Sequence, residues 1–212
     1  MTDEAPIVAV IDDDVSVRES IQGLLETAAL QVELFASPRE YLQAKRKDDP
    51  SCIILDVRLP GSSGLDFQRE MVAAGSRAPI IFITGYADVP MTVQAMKAGA
   101  VEFLTKPYRD QALLDAVLSA IEKDRHRRIE DRAVDDIHRR FEALTPRERE
   151  IMALAISGQQ AKQIASGVGI REVTVRVHRR EIMRKMGAKS LADLVKMGEA
   201  LRNRGIRMSP SP

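Results

Sequence analysis

A small set of side chains could do phosphoryl chemistry if the chain folded so as to bring them together. They are Asp12, Asp13, Asp14, Asp56, Thr84 and Lys106, each at or just beyond the end of a short apolar run. Clustered carboxylates repel one another, so holding them together is costly unless a cation sits among them. Hard oxygen ligands with open positions suit Mg²⁺, which keeps several waters. A carboxylate beside such an ion and an ammonium is equipped to accept a phosphoryl group. The aspartate would be the nucleophile, the ion and the lysine would offset the developing charge, and the threonine hydroxyl would bind a phosphoryl oxygen afterwards. A second set is basic. In Thr174-Val175-Arg176-Val177-His178-Arg179-Arg180, Arg176 and Arg180 stand four apart and share one helix face. Arginine on such a face can be bidentate to guanine, and Val177 beside it can touch a thymine methyl. Thr174, Arg179 and Lys162 are better placed for phosphates.

The elements that must position the first set are strands. Five runs, IVAVI (7–11), QVELFA (31–36), CIILD (52–56), PIIFIT (79–84) and VEFL (101–104), are short, rich in β-branched or aromatic residues and bounded by turn residues. Between them lie helical spacings: Val17, Ile21, Leu24, Leu25 and Ala28 share one face, and Val93, Met96 and Ala100 share another more loosely. Strands alternating with helices predict a parallel sheet covered on both faces. In such a sheet ligands bind beyond the carboxyl ends of the strands, where the acidic residues, Thr84 and Lys106 stand.

No Gly or Pro interrupts the stretch between Pro107 and Pro146. Its first turns carry Leu113, Val117, Leu118 and Ile121; from Glu122 to Arg140 charges of both signs dominate, with Ile129, Val134, Ile137 and Phe141 scattered among them. The reading is one long, solvated connecting helix, with a heptad pattern too weak to commit it to a coiled coil. Thr145-Pro146-Arg147-Glu148 restarts a helix with a capping box and a proline at the first helical position. Four helices follow, near 146–157, 161–167, 173–186 and 190–203, broken at Gly158, Gly167/Gly169 and Gly187; the terminal RMSPSP is expected to fray. The chain thus divides into 1–121, a helical linker 122–142, and 143–212.

The net charge of +1 conceals an asymmetry: residues 1–120 carry −7 and residues 143–212 carry +8. A basic half suits a polyanion and an acidic half a cation. The single cysteine, Cys52, excludes an internal disulfide and reads as plain core. The opening MTDEAPIVAV has no basic start like that of a secretory signal, and no apolar run approaches the roughly 20 residues that span a bilayer. A cytoplasmic protein with no membrane partner is expected.

Residues 7–120 resemble the receiver domain of two-component response regulators, through IDDD (11–14), ILDVRLPGSSGLDF (54–67), FITGYADVPM (82–91) and MKAGAVEFLTKPY (96–108). Residues 143–200 resemble the LuxR-type helix-turn-helix of the NarL/FixJ class, through LTPREREIMALAISGQQAKQIASGVGIREVTVRVHRREIMRKMGAKSLADLV (144–195). The resemblance implies a flavodoxin-like α/β receiver with sheet order 2-1-3-4-5, a long helical linker, and a small all-α domain whose helix at 173–186 enters the major groove. It implies that Asp56 is the phosphoacceptor, and that Asp12 and Asp13 form the acidic pair at Mg²⁺. Asp13, Asp56 and the Arg58 backbone carbonyl would bind the ion directly. Thr84 and Lys106 take the switch and charge-stabilising roles, Phe103 is the aromatic that changes rotamer, and the Lys106-Pro107 bond is cis. The implied partners are a sensor histidine kinase, promoter DNA and a second copy of the chain on phosphorylation, with RNA polymerase a candidate. The implied dimer surface lies around Val89–Ala98 and Val101–Leu104, with the helix at Leu191–Ala200 a second contact on DNA.

Arg58 and Tyr86, two residues after Asp56 and Thr84, should rim the site and hinder attacking water; Gly85 leaves room for the phosphoryl group. One departure stands out: Arg171 occupies the position where the family places a helix-capping Ser, and a lost cap costs about 1 kcal/mol. Two other readings compete with a phosphorylation-dependent regulator. One is a phosphorylation-independent DNA-binding protein with a docking receiver, disfavoured by the complete Asp13, Asp56, Thr84 and Lys106 set. The other is an aspartyl-phosphate phosphohydrolase, disfavoured because Val57 and Arg58 follow Asp56 where a second acid would be needed. The chain is therefore not expected to be an enzyme beyond its own phosphotransfer and dephosphorylation.

Overall fold

The computed structural model describes residues 5–44, 49–86, 88–206 and 208. The chain divides into two units, Met1–Arg127 and Arg128–Pro212. In the first, strands β1 (Ile7–Ile11), β2 (Gln31–Phe35), β3 (Cys52–Asp56), β4 (Ile80–Thr84) and β5 (Glu102–Thr105) form one parallel sheet in the order β2-β1-β3-β4-β5. The expected order 2-1-3-4-5 is thus the observed one. A two-residue antiparallel ladder, Arg58–Leu59 with Ser62–Ser63, follows β3.

Alternation along the strands sorts the apolar residues onto two faces. Ala9, Ile11, Ile53, Leu55 and Phe82 pack under helices α2 (Pro38–Gln43), α3 (Gly64–Ala73) and α4 (Val89–Lys97). Val8, Val10, Ile54, Ile81 and Ile83 pack under α1 (Val15–Thr27) and the first turns of α5 (Asp110–Glu142). Every residue of β3 and β4 is buried, so both strands read as continuous apolar runs with their polar residue last. The apolar face expected of α4 is corrected: Val93 and Met96 are exposed, and Ala95 is the residue seated on the core.

The second unit packs α6 (Pro146–Ile156), α7 (Ala161–Val168), α8 (Glu172–Met186) and α9 (Leu191–Asn203) around Ile151, Ile164, Val175, Ile182, Met186, Leu194 and Leu201. Gly158, Gly169 and Gly187 break the helices at φ of +89°, +67° and +68°, a region glycine enters without penalty. The last turns of α5 belong to this unit. Phe141 is buried in its core with Ile137 against it, four residues earlier on the same face, and Arg204 bonds Asp131 and Asp135. Met208 of the tail is buried here too; the rest of RMSPSP lies outside the described residues.

Glu148 holds two pieces of this unit together. Its N–H donates to Thr145 Oγ1 (3.2 Å) while its carboxylate accepts from Thr145 N–H (2.8 Å), completing the capping box of α6. The same carboxylate accepts from Lys185 Nζ of α8 at 2.9 and 2.7 Å. Burial pushes the Glu148 carboxyl up, but the Lys185 ammonium and the Thr145 N–H together outweigh it and hold the group below its ordinary value. A depressed carboxyl stabilises fully above the ordinary value of about 4.3 and loses that contribution as pH falls through the lowered one. Glu148→Gln keeps the cap but removes the charge. It should destabilise the second unit by about 1–3 kcal/mol at pH 7 and by much less near pH 3, read from thermal unfolding of the full chain at both pH values. An equal loss at both would assign the effect to packing.

Candidate functional site

The parallel register brings the carboxyl ends of four strands level. Ile11 pairs with Leu55, Asp56 with Ile83, and Thr84 with Thr105, so Asp12, Asp56, Thr84 and Lys106 meet at one edge. Backbone bonds continue the ladder past the strands: Asp12 N–H donates to Phe35 O, Val57 N–H to Ile83 O, and Lys106 N–H to Thr84 O at 2.7 Å. The Lys106-Pro107 bond is cis.

Lys106 Nζ donates to Asp12 Oδ2 at 2.6 Å and to Asp56 Oδ2 at 2.7 Å. The other oxygens of both carboxylates are held by backbone. Asp12 Oδ1 accepts from Asp14 N–H (3.0 Å) and Asp56 Oδ1 from Arg58 N–H (2.8 Å). Arg18 further fixes the turn by donating to Asp12 O at 2.5 Å. Asp12 and Asp56 are buried and Asp13 is exposed; carboxylate oxygens of all three lie within 4.8 Å of one another. Asp14 stands apart from them: its side chain caps α1 by accepting from Ser16 N–H at 2.8 Å. Burial pulls the Lys106 ammonium down, but its bonds to Asp12 and Asp56 win and raise it, so it stays charged. Burial pushes the Asp12 carboxyl up against the opposing pull of Lys106. Three carboxylates facing one ammonium leave the pocket short of positive charge. That deficit, with hard oxygen donors on an open edge, fits a divalent cation such as Mg²⁺.

Around the pocket, Thr84 is buried, its hydroxyl donating to Tyr86 O (3.1 Å) and accepting from Tyr86 N–H (3.2 Å). Gly85 meets open space. The Arg58 guanidinium lies over the exposed Tyr86 ring, 4.4 Å from its centroid. Phe103 is half-buried, 6.0 Å from the Phe82 ring. Sequence reasoning missed Gly64. At the first position of α3, its N–H donates to Val57 O at 2.9 Å, and a Cβ would strike the Asp56 carbonyl oxygen. Its cause is the backbone opposite, so nothing local in GSSGLDF marks it.

In the second unit Arg176, Val177, Arg180 and Lys162 are exposed, and Thr174 is half-buried. Arg176 bonds Glu172 at 2.7 Å, an exposed pair worth only about 0.3–0.5 kcal/mol and easily exchanged for another partner. Arg179 is half-buried and lines a cleft of about 130 Å³ with Ala155, Ile182, Met183, Leu191 and Leu194. Arg171 does stand at the head of α8 without a side-chain cap. Glu172 follows it in the first turn, where a negative charge suits the helix dipole.

A response regulator receiver domain model matches residues 8–118, and the model of the luxR family of bacterial regulatory proteins matches residues 142–198. Nodulation protein W of Bradyrhizobium diazoefficiens is 51% identical over 195 residues, covering 92% of this chain and 86% of that protein. The transcriptional regulatory protein FixJ of Azorhizobium caulinodans is 40% identical, covering 90% of each. Among solved structures, the response regulator StyR is similar at 45% identity and a TM-score of 0.81, covering 92% of this chain and 98% of that one. Full-length FixJ of B. japonicum follows at 37% identity and 0.56, covering 93% and 98%.

Gly64→Ala should force the loop after Asp56 away from α3, destabilising the first unit by about 1–3 kcal/mol. Denaturant unfolding of the full chain reads it; an unchanged first transition would mean the backbones can part without cost.

Proposed function

The chain belongs to the response regulators that join a receiver domain to a luxR-type DNA-binding domain, and on that premise we propose that a phosphoryl group on Asp56 governs its binding to promoter DNA. One observation carries the reading: Lys106 Nζ bonds both Asp12 and Asp56 while Asp13 stands within reach of the same oxygens. A structural module for docking alone has no use for that arrangement.

The phosphoryl donor would be a sensor histidine kinase. Asp56 supplies the attacking carboxylate oxygen, and the donor's bond to phosphorus breaks as the new one forms. Asp12, Asp13 and Asp56, with the Arg58 backbone carbonyl, would hold Mg²⁺, which when bound supplies positive charge beside the phosphoryl oxygens. Lys106 exchanges its bond to Asp56 for one to a phosphoryl oxygen. The Thr84 hydroxyl gives up the Tyr86 backbone for another, and Phe103 follows it inward. The same groups support slow loss of the phosphoryl group to water, without making the chain an enzyme in the ordinary sense.

The output proposed is a homodimer. Val89, Val93 and Met96 form an exposed apolar stripe on α4, and Leu191 is exposed on α9. Paired recognition helices then read paired half-sites, Arg176, Val177 and Arg180 reaching bases while Thr174, Lys162 and Arg179 contact phosphates. RNA polymerase remains a candidate partner of the bound dimer. No described helix is long and apolar enough to cross a membrane.

Asp56→Asn should abolish labelling by acetyl phosphate in the presence of Mg²⁺; labelling that persists would place the phosphoryl group elsewhere. The Arg58–Tyr86 stack gives a second expectation. An exposed cation–π pair contributes about 0.5–1 kcal/mol, and if it screens the acyl phosphate from water, Arg58→Ala and Tyr86→Ala each speed phosphoryl-Asp decay. The double variant should be no faster than either single one. Decay rates equal to the wild type would refute the screening.

A further inference from the structure

Three helix ends of the second unit are closed by arginines from elsewhere in that unit. Arg149 donates to the carbonyls of Glu142 (2.7 Å) and Leu144 (3.1 Å) at the end of α5. Arg147 donates to the carbonyl of Val168, the last residue of α7, and is braced by Glu150 at 2.6 Å. Arg140 donates through one nitrogen to the carbonyl of Met186, the last residue of α8, at 2.9 Å, while Asp136 braces its other nitrogen at 2.7 Å.

The end of α8 needs the outside donor. Its Arg184 and Met183 carbonyls are met locally, by Gly187 N–H at 3.2 Å and Ala188 N–H at 3.0 Å. The Met186 carbonyl is met by Arg140. A cation there also suits the negative end of the helix dipole. Gly187 is fitted to the contact twice over: its φ of +68° lets the chain turn, and a Cβ would take the place of the Arg140 guanidinium.

The rest of α8 is held by apolar packing alone. Its head lacks a side-chain cap, and three residues, Val175, Ile182 and Met186, are its fully buried anchors. Packing of these anchors resists rotation about its axis along the whole helix, and Lys185 on Glu148 and Arg140 on Met186 add polar contacts at the far end. Such a rotation would swing Arg176 and Arg180 away from the edges they are meant to read.

We propose that Arg140, on the tail of α5, is a positioning residue for DNA recognition: its bond to the Met186 carbonyl sets the angle at which α8 presents Arg176 and Arg180. This rests on the reading of α8 as the recognition helix. It also distinguishes Arg140 from a phosphate contact, which would strengthen binding to any duplex.

The test uses the full chain, treated with acetyl phosphate and Mg²⁺, and a duplex that the wild type so treated selects from random-sequence DNA. Wild type, Arg140→Ala, Arg140→Lys and Asp136→Asn are compared on that duplex and on a scrambled one across a salt series. Arg140→Ala should lose about tenfold on the selected duplex and nothing on the scrambled one, with an unchanged salt slope. Arg140→Lys should recover most of the loss, and Asp136→Asn should show a smaller loss of the same kind. Amide exchange at Gly187 and Ala188 should quicken in Arg140→Ala without any DNA present. An equal loss on both duplexes with the salt slope reduced by about one makes Arg140 a phosphate contact and overturns the proposal. Unchanged selectivity overturns it as well. A wild type that selects no duplex removes the recognition reading itself. Exchange at the end of α8, which needs no DNA, then still shows whether Arg140 holds that helix.

Discussion

The receiver unit depends on one ammonium placed between two buried carboxylates. Lys106 bonds Asp12 and Asp56 at once, and without it two negative charges would face each other where water is scarce. Much of the surrounding geometry serves that contact. The strands end level, β3 and β4 are buried along their whole length, and each aspartate has its second oxygen tied to a backbone N–H two residues on. The arrangement is held together and yet incompletely neutralised. A pocket with one cation for three carboxylates among the described residues favours whatever positive charge approaches.

The second unit uses charge differently. Part of its basic excess lies on the face of α8, but a good share is engaged by partners within the unit. Arg140, Arg147 and Arg149 close helix ends, Lys185 meets Glu148, and Arg204 meets Asp131 and Asp135. Net charge therefore overstates how many cations are available to a polyanion. In a domain of four short helices and one small core, terminal carbonyls are a large fraction of the polar groups that need partners. Planar guanidinium groups reach them while keeping a second bond to a carboxylate.

Legibility in the sequence followed the range of the cause. The strands, the acidic edge, the capping box at Thr145 and the helices of the second unit were readable, because apolar periodicity, turn glycines and capping residues act within a few positions; the strand order came only with the receiver resemblance. Asp14 looked like a member of the acidic set and is a helix cap, since three adjacent carboxylates cannot be told apart by type. Val93 and Met96 looked like core because they are apolar, but the helix turns Ala95 rather than those two onto the core. Gly64, Arg140 and Arg147 were illegible for one reason: each answers to a backbone carbonyl that is distant in sequence or on the opposite strand. The stretch 128–142 read as solvated linker because its charges outnumber its apolar residues. Ile137 and Phe141 suffice to seat it, helped by Arg204 reaching back from the far end of the chain.

Cys52 begins the strand that Asp56 ends. It is fully buried, and burial, helped by the charge of Asp124, pushes its thiol well above the ordinary range. It is also the only cysteine of the chain. Thiolate chemistry at neutral pH is therefore closed to the native protein while folded. A cysteine introduced on any exposed position would be the sole site open to alkylation or to a maleimide dye. The fold thus arrives prepared for spectroscopy: a label on α8 and another on the receiver would report their separation in solution without the core thiol having to be removed first.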